Sequence, residues 1–366
     1  MSTVAEHKSN GHAATAIART QIGPVPFEHE ELVVRRGLRS DVYIAVAIHS
    51  TALGPALGGV RVWHYGDVVE GVRDVLRLAL GMTAKAAVAG LDLGGGKGVI
   101  CVPAEPPDPE RRRAMLLDFG DLVNSLAGRY ITAEDVGVTP ADLAVIAERT
   151  DHVTGLDAER GGSGDPSPFT ALGVEAAMRA CLRSRFGSPE LDGRRVAIAG
   201  LGHVGSKLAR RLADAGAELV VSDLDPAKRA IAESLGARWV EPEHELLAEC
   251  DALAPCALGG VIDREVVPLL RCEVICGCAN NQLASPELAD ELADRDILYA
   301  PDYVVNAGGL IHVYREIRGY SEEEAVELVL KIEATLDRVF ELAHEQEITP
   351  LAAAERLAAE RLAAAG

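Results

Sequence analysis

Only six of the chain's 36 basic residues are lysine (Lys8, Lys85, Lys97, Lys207, Lys228 and Lys331), and two of the six stand together in KAAVAGLDLGGGK. A guanidinium is effectively always charged, whereas an ammonium gives up its proton when it is buried or crowded by a second cation. A chain that uses arginine for most positive charges but keeps lysine at positions 85 and 97 points to acid–base chemistry there. A triphosphate-binding loop is excluded, since G-x-x-x-x-G-K-[ST] would need glycine at Leu91 and a hydroxyl at Gly98. Gly94, Gly95 and Gly96 remove every Cβ ahead of Lys97, so a ligand or another backbone can approach it closely. Further along, ITAEDVG carries two acids, Glu134 and Asp135.

A second constellation is RRVAIAGLGHVGSKLARRLADAGAELVVSDLD. Arg195 to Ala199 reads as a strand and Gly200-x-Gly202-x-x-Gly205 as a turn. Val204 to Ala215 reads as a helix closed by Gly216, and Glu218 to Ser222 as a second strand ending at Asp223. That order, more than the glycine spacing, marks a Rossmann dinucleotide-binding unit. Gly200 permits the tight turn, Gly202 lets the backbone approach a pyrophosphate, and Gly205 packs helix on strand, while the helix N-terminus offers amide hydrogens to the anion. His203 and Val204 complete the cofactor-binding turn, with the His203 side chain solvated. Asp223 can accept from both adenosine ribose hydroxyls and, with Asp225, repels a 2'-phosphate, so the expected cofactor is NAD.

These residues need elements to position them. EGVRDVLRLALGMTAKAAVAG repeats apolar residues at Val72, Val75, Leu76, Ala79 and Leu80, an amphipathic helix with Lys85 near its end. KGVICVP reads as a buried strand opened by Lys97, which leaves the glycines in the connection before it. RYITAEDVGVTPADLAVIAE reads as a strand, a loop holding Glu134 and Asp135, and a helix introduced by Thr139 and Pro140. From about residue 190 short β-rich runs alternate with helical stretches, the pattern of a parallel sheet with helices on its faces. A helical stretch from Ile311 to Gln346 is broken near RGYSEEE, and the Ala-rich tail adds a further helix.

The chain has 366 residues, 48% hydrophobic and 25% charged, enough for two α/β domains with substantial cores. A net charge of -20 leaves no footprint for nucleic acid, and no apolar run is long enough to span a membrane. Seven cysteines at irregular spacing fit reduced thiols in the cytoplasm better than a disulfide framework. Cys272, Cys276 and Cys278 alternate along one face of a strand with no histidine nearby, so no metal site is expected. Residues 1–25 lack the apolar block of a secretory signal and read as a disordered leader.

In GPALGGVR, GMTAKAAVAGLDLGGGKGV, ITAEDVG, PSPFTALGV, APCALGG, CANNQL and PDYVVNAGG, in that order between Tyr43 and Gly319, the chain resembles the glutamate, leucine, phenylalanine and valine dehydrogenases, nearest the leucine and valine members. The resemblance implies a substrate and oligomerisation domain at 26–153 and a Rossmann NAD-binding domain at 154–335. Helices at 336–366 would return to the substrate domain, and the protein would be a homo-oligomer. Lys97 is implied as the catalytic lysine, Asp135 as its proton-transfer partner, and Lys85 as the group that binds the substrate carboxylate. Lys85 is also expected to be the second cation that helps Lys97 lose its proton. Gly58 and Gly59 would approach the substrate, Asn280 and Asn306 would hold substrate or nicotinamide, and Thr170 would meet the carboxamide. Leu57, Ala133, Leu310 and Val313 are implied as an apolar side-chain pocket, and Leu57 stands where a glutamate-specific member carries lysine. The implied reaction is NAD-dependent oxidative deamination of a branched-chain L-amino acid to a 2-oxo acid and ammonia, and its reverse. A phenylalanine-specific member and a catalytically silent NAD-binding regulator are the alternatives. Val138 departs from the Thr or Ser of most relatives.

Overall fold

The computed structural model describes residues 27–157, 159 and 162–365. The leader expected at 1–25 lies outside them. Two sheets divide the chain. The first is five-stranded, in the order β1 (Glu31–Arg36), β2 (Tyr43–Ser50), β4 (Gly94–Val102), β3 (Ala56–His64), β5 (Tyr130–Glu134). Strands β1 and β4 run antiparallel to β2, whereas β3 runs parallel to both β4 and β5. Helix α1 (Val68–Val88) covers one face, with α2 (Pro109–Ser125) and α3 (Pro140–Ala147) contributing to the core on the other.

Side-chain size decides how closely each helix lies. On β2 the large Ile44, Val46 and Ile48 join the core beneath α2, while Ala45 and Ala47 on the opposite face meet Val72, Val75 and Ala79 of α1. The three glycines of β4 extend the same effect. They are the first three residues of the strand, not a connection ahead of it. A Cβ on Gly95 would lie 2.1 Å from the Thr83 amide nitrogen of α1, one on Gly94 1.9 Å from the Ser50 carbonyl, and one on Gly96 2.7 Å from the Tyr130 ring. The run therefore serves backbone contact among β2, β4, β5 and α1, and the room expected beside Lys97 is taken up by protein. Gly58 behaves likewise, with its missing Cβ 1.8 Å from the Gly96 carbonyl, and Gly59's would lie 2.3 Å from the Glu134 carbonyl.

The second sheet is six-stranded and all parallel, in the order β11 (Leu298–Tyr299), β10 (Cys272–Ile275), β9 (Cys250–Pro255), β6 (Arg195–Ala199), β7 (Glu218–Ser222), β8 (Arg238–Trp239). This is the doubly wound Rossmann order, in which the strand order reverses beside β6. Its central strands are largely buried on both faces, and the short edge strand β8 is not. One face packs against α4 (Ser167–Phe186) and α5 (His203–Asp214), and the other carries α7 (Leu288–Asp294); α6 (Arg229–Ser234) follows β7 at the edge. Cys272 and Cys276 fall in different cores: Val274 and Cys276 join one and Ile275 the other, whereas Cys272, at the start of the strand, sides with Ile275.

After β11 come α8 (Asp302–Val305), α9 (Gly308–Arg318), α10 (Glu322–Gln346) and α11 (Pro350–Ala365). The division expected at 335/336 falls inside α10. That helix starts at a Ser321 capping box and runs unbroken along α4, where Arg183 pairs with Glu333 and Asp337. Helix α11 returns to α1, where Arg361 Nη1 donates to the Ala87 carbonyl at 2.9 Å, and the short α8 also meets α1.

Because the missing Cβ of Gly58 makes room for a backbone carbonyl, Gly58→Ala should lower unfolding free energy by about 3 kcal/mol, seen as an earlier urea midpoint. Unaltered stability with impaired activity alone would instead give that glycine to substrate access.

Candidate active site

Alternation along the first sheet sets the site. Gly59 pairs with Ala133, Arg61 with Val99, and Leu57 with Gly95, so residues 57, 59 and 61 of β3 share the α1-covered face with Val99 and Lys97 of β4 and with Ala133 of β5. Asp135 follows β5 directly. Lys97 is 5% exposed, and its Nζ lies 3.0 Å from Asp135 Oδ2. Arg61 Nε donates to that same oxygen at 2.9 Å. Burial is the largest influence on Lys97 and pushes its pKa down, Asp135 opposes the shift, and the Arg61 charge adds to it. Burial acts to raise the Asp135 pKa, but Lys97 and Arg61 outweigh it and hold the carboxyl below its ordinary range. Arg61, more than Lys85, is thus the second cation acting on Lys97.

Lys85, near the C-terminal end of α1, reaches across to the second half of the chain. Its Nζ donates to Asn306 Oδ1 at 2.6 Å, and Asn306 Nδ2 donates to Asn280 Oδ1 at 2.8 Å and to the Cys278 carbonyl at 3.1 Å. Burial brings the Lys85 pKa down to about 8, against the opposing charge of Asp302 and with the help of Lys97. Asp302 is itself buried, accepts from the Gln282 amide at 3.0 Å, and has its pKa raised by burial.

The glycine turn beside β6 has three distinct environments. Gly200 has φ +102, reachable for glycine, and Gly205 closes on the Gly200 carbonyl, 2.0 Å from where a Cβ would be. Gly202 has nothing within 4 Å of its missing Cβ. It is the N-cap of α5, which has no side-chain cap, so the first-turn amides stay free for an anion. An open cradle of this kind fits a dinucleotide pyrophosphate. His203 opens α5, and Val204 packs partly against the core. Asp223 Oδ2 accepts from the Leu201 amide at 2.7 Å and Oδ1 from the Asp225 amide at 2.8 Å, which anchors the carboxylate beside the turn.

Thr170 sits in the first turns of α4, with its hydroxyl donating to the Pro166 carbonyl at 3.1 Å, and lies 2.9 Å from the missing Cβ of Gly309 on α9. Leu57 and Leu310 belong to one apolar cluster, with Val313 packed against it. Ala133 lies outside that cluster, opposite Gly59. Val138 is buried among Val62 and Leu143, which gives its apolar side chain a packing role. Among the described residues no group of three or more His, Cys, Asp or Glu could hold a metal, and no helix is long and apolar enough to cross a membrane. Sequence reasoning missed Arg61, Asp74 and Asp302. Arg61 stands two residues after Gly59, but its place beside Lys97 emerges only once β3 is known to pair with β4.

The family model described as Glu/Leu/Phe/Val dehydrogenase, dimerisation domain, matches residues 36–152, and that described as Glutamate/Leucine/Phenylalanine/Valine dehydrogenase matches 221–366. A model of the NAD binding domain of D-isomer specific 2-hydroxyacid dehydrogenases matches 174–258. The chain is 45% identical over 338 residues to leucine dehydrogenase of Geobacillus stearothermophilus, covering 92% of this chain and 91% of that protein. It is 45% identical over 340 residues to valine dehydrogenase of Streptomyces virginiae, covering 91% and 94%. The crystal structure of L-tryptophan dehydrogenase from Nostoc punctiforme superposes with a TM-score of 0.80 at 40% identity, covering 92% of this chain and 96% of that one.

The depressed pKa of Lys85 makes its burial a stability penalty with a defined pH range. Its ordinary value of 10.5 falls to about 8 on folding, so the penalty is complete below about pH 8, shrinks above it and is gone past 10.5. Partial exposure and the lost bond to Asn306 reduce the net effect, so Lys85→Met should stabilise the protein at pH 7 by about 1 to 2 kcal/mol. Urea unfolding at pH 7 and pH 10 tests this. The expected gain fades toward the higher pH, and a variant less stable than wild type at pH 7 would make Lys85 a net stabiliser.

Proposed function

The chain belongs to the Glu/Leu/Phe/Val dehydrogenase family and is an amino acid dehydrogenase using a nicotinamide cofactor, and from that premise we propose that it deaminates a branched-chain L-amino acid with NAD, and runs the reverse amination. The observation that carries the reading is the buried Lys97–Asp135 pair facing Lys85 within one sheet-and-helix layer. In the forward direction an amino acid and water give a 2-oxo acid and ammonia, with one hydride passed to the oxidised nicotinamide and one proton released. When bound, a nicotinamide dinucleotide would be held by Gly200, Gly202, His203, Val204, Gly205 and Asp223 together with Thr170 and Asn280, and would supply the hydride acceptor.

The remaining steps belong to side chains of this chain. Charged Lys85 pairs with the substrate carboxylate, taking it in place of the Asn306 oxygen it holds in this structure. Lys97, neutral when it acts, takes a proton from the water that adds to the substrate iminium carbon. Asp135 exchanges protons with the substrate nitrogen as the carbinolamine collapses and ammonia leaves. Burial of both groups keeps bulk water from the α-carbon until it is needed.

Specificity follows from what the pocket lacks. Leu57 is 1% exposed and apolar, so a side-chain carboxylate would find no cation there, which argues against glutamate. Leu57, Leu310 and Val313 with Ala133 form the apolar side-chain pocket, and a methyl at position 133 crowds an aromatic ring. The tryptophan dehydrogenase likeness makes an aromatic substrate the natural competitor. Asp223, anchored by two backbone amides, places negative charge where a 2'-phosphate would sit. We assign residues 26–153 to the substrate and association domain and 154–346 to the cofactor domain, with a homo-oligomer formed through the first and the enzyme working in the cytoplasm.

A single kinetic panel tests these assignments: valine, leucine, isoleucine, phenylalanine, tryptophan and glutamate, each with NAD and NADP, followed by absorbance of the reduced cofactor. The expected order puts a branched-chain amino acid with NAD first in kcat/KM, with differences of about 10 to 200-fold among side chains one methylene apart. An aromatic amino acid in first place would overturn the pocket, NADP equal to NAD would overturn the ribose site, and no turnover with any amino acid would favour the silent regulator.

A further inference from the structure

Behind Asp135 runs a chain of charged groups that the chemistry above does not use. Arg61 Nε donates to Asp135 Oδ2 at 2.9 Å and Nη1 to Asp74 Oδ2 at 3.0 Å, so one guanidinium bridges two carboxylates. Asp74, on α1, also accepts from the Tyr65 hydroxyl at 2.7 Å and from Arg77 Nη2 at 2.7 Å. Only Arg77 of this group is largely exposed; the Arg61, Asp74 and Asp135 side chains are 20%, 16% and 18% exposed.

We propose that Arg61 is a positioning residue of the reaction: braced by Asp74, it clamps Asp135 Oδ2, turns Oδ1 toward the substrate nitrogen, and keeps Lys97 ready to give up its proton. The proposal rests on the assignment of Lys97 and Asp135 as the proton-transfer pair. Asp135 Oδ2 takes both Lys97 and Arg61, whereas Oδ1 accepts no hydrogen bond among the described residues. A carboxylate held by one oxygen with the other open is suited to exchange protons with an amine. Lysine at position 61 would keep the charge but could not span Asp135 and Asp74 together, because the bridge uses two nitrogens of a rigid planar fork.

The charges around Lys97 make the test one of sign. Asp135, just past β5, Arg61 on β3 and Asp74 on α1 act on Lys97 directly; Tyr65 faces Arg61 and Asp74, and Lys85 on α1 feels Lys97 together with Asp302, Asp135 and Cys278. Arg61 eases deprotonation of Lys97 and Asp74 opposes it. In Arg61→Gln the acid limb of the kcat/KM profile for the amino acid should therefore move to higher pH by about one unit. In Asp74→Asn, where the amide oxygen still holds the guanidinium, the limb should move to lower pH. Loss of packing would shift neither limb or move both the same way.

The experiment compares pH profiles, kcat and KM for wild type, Arg61→Gln, Arg61→Lys and Asp74→Asn, together with Arg61→Gln placed in a Lys97→Ala background. Expected for Arg61→Gln is a fall in kcat on the order of 10 to 100-fold with amino acid KM nearly unchanged, since Lys85 still holds the carboxylate, and only partial recovery in Arg61→Lys. Lys97→Ala alone should lose about 10² to 10⁴-fold, and adding Arg61→Gln to it should cost under about threefold more, because Arg61 acts through that pair. Additive losses, full activity in Arg61→Lys, or limbs that fail to move in opposite directions would overturn the proposal. A Lys97→Ala enzyme with near wild-type kcat would overturn the underlying assignment instead. Should Arg61→Gln fail to fold, the downward shift in Asp74→Asn and the partial activity of Arg61→Lys still decide the matter.

Discussion

An ammonium and a carboxylate lie 3.0 Å apart inside the protein, at Lys97 and Asp135, and the rest of the first sheet is arranged around the difficulty of burying them. A buried ion pair is weak evidence for stability, because desolvation can exceed the Coulombic gain. Here the balance is tipped by a third charge. Arg61 supplies Asp135 with a second donor, so the carboxylate stays ionised while burial and the guanidinium together loosen the Lys97 proton. The arrangement favours chemistry over stability.

Close backbone packing is what allows it. Ala45, Ala47 and the glycines of β4 let α1 lie almost against the sheet, which brings Lys85, half a turn beyond Thr83, to the same layer as Lys97. Lys85 in turn bonds Asn306, whose amide ties to Asn280 and to the Cys278 carbonyl in the loop after β10. Through that bond the lysine proposed to bind the substrate carboxylate and the asparagines proposed for the nicotinamide end are in direct contact, so the two proposed sites are coupled through few atoms. Seating a carboxylate at Lys85 exchanges an internal hydrogen bond for a stronger charge-assisted one, which favours the bound state without leaving Asn306 far from a partner.

Local signals were legible in the sequence, and long-range ones were not. The turn Gly200–Gly205, strands β6 and β7 and the acid Asp223 could be read residue by residue because strand, turn and helix follow one another directly. Lys85 and Lys97 stood out through the scarcity of lysine, and the Thr139 cap with Pro140 appeared where the residue types placed it. The role of Gly94, Gly95 and Gly96 was not legible, since their neighbours Ser50, Thr83 and Tyr130 come from three other elements. Arg61 was hidden for the same reason: its partners Asp74 and Asp135 meet it only after β3 has paired with β4 and β5. The break after α9 was visible at Gly319 to Ser321, but nothing in a continuous helical pattern could tell which half of the molecule α10 packs against.

The central claim is that burial makes two lysines of this site lose their protons more readily than an ordinary lysine, and the chain's small number of lysines allows it to be measured directly. With lysine side chains isotopically labelled, at most six ammonium-bearing resonances appear in an NMR titration, and single substitutions at Lys85 and Lys97 assign the two that matter. The account predicts that both titrate below the ordinary value of about 10.4, with Lys85 near pH 8. Resonances of Lys85 and Lys97 that titrate at the ordinary value of about 10.4 would contradict it.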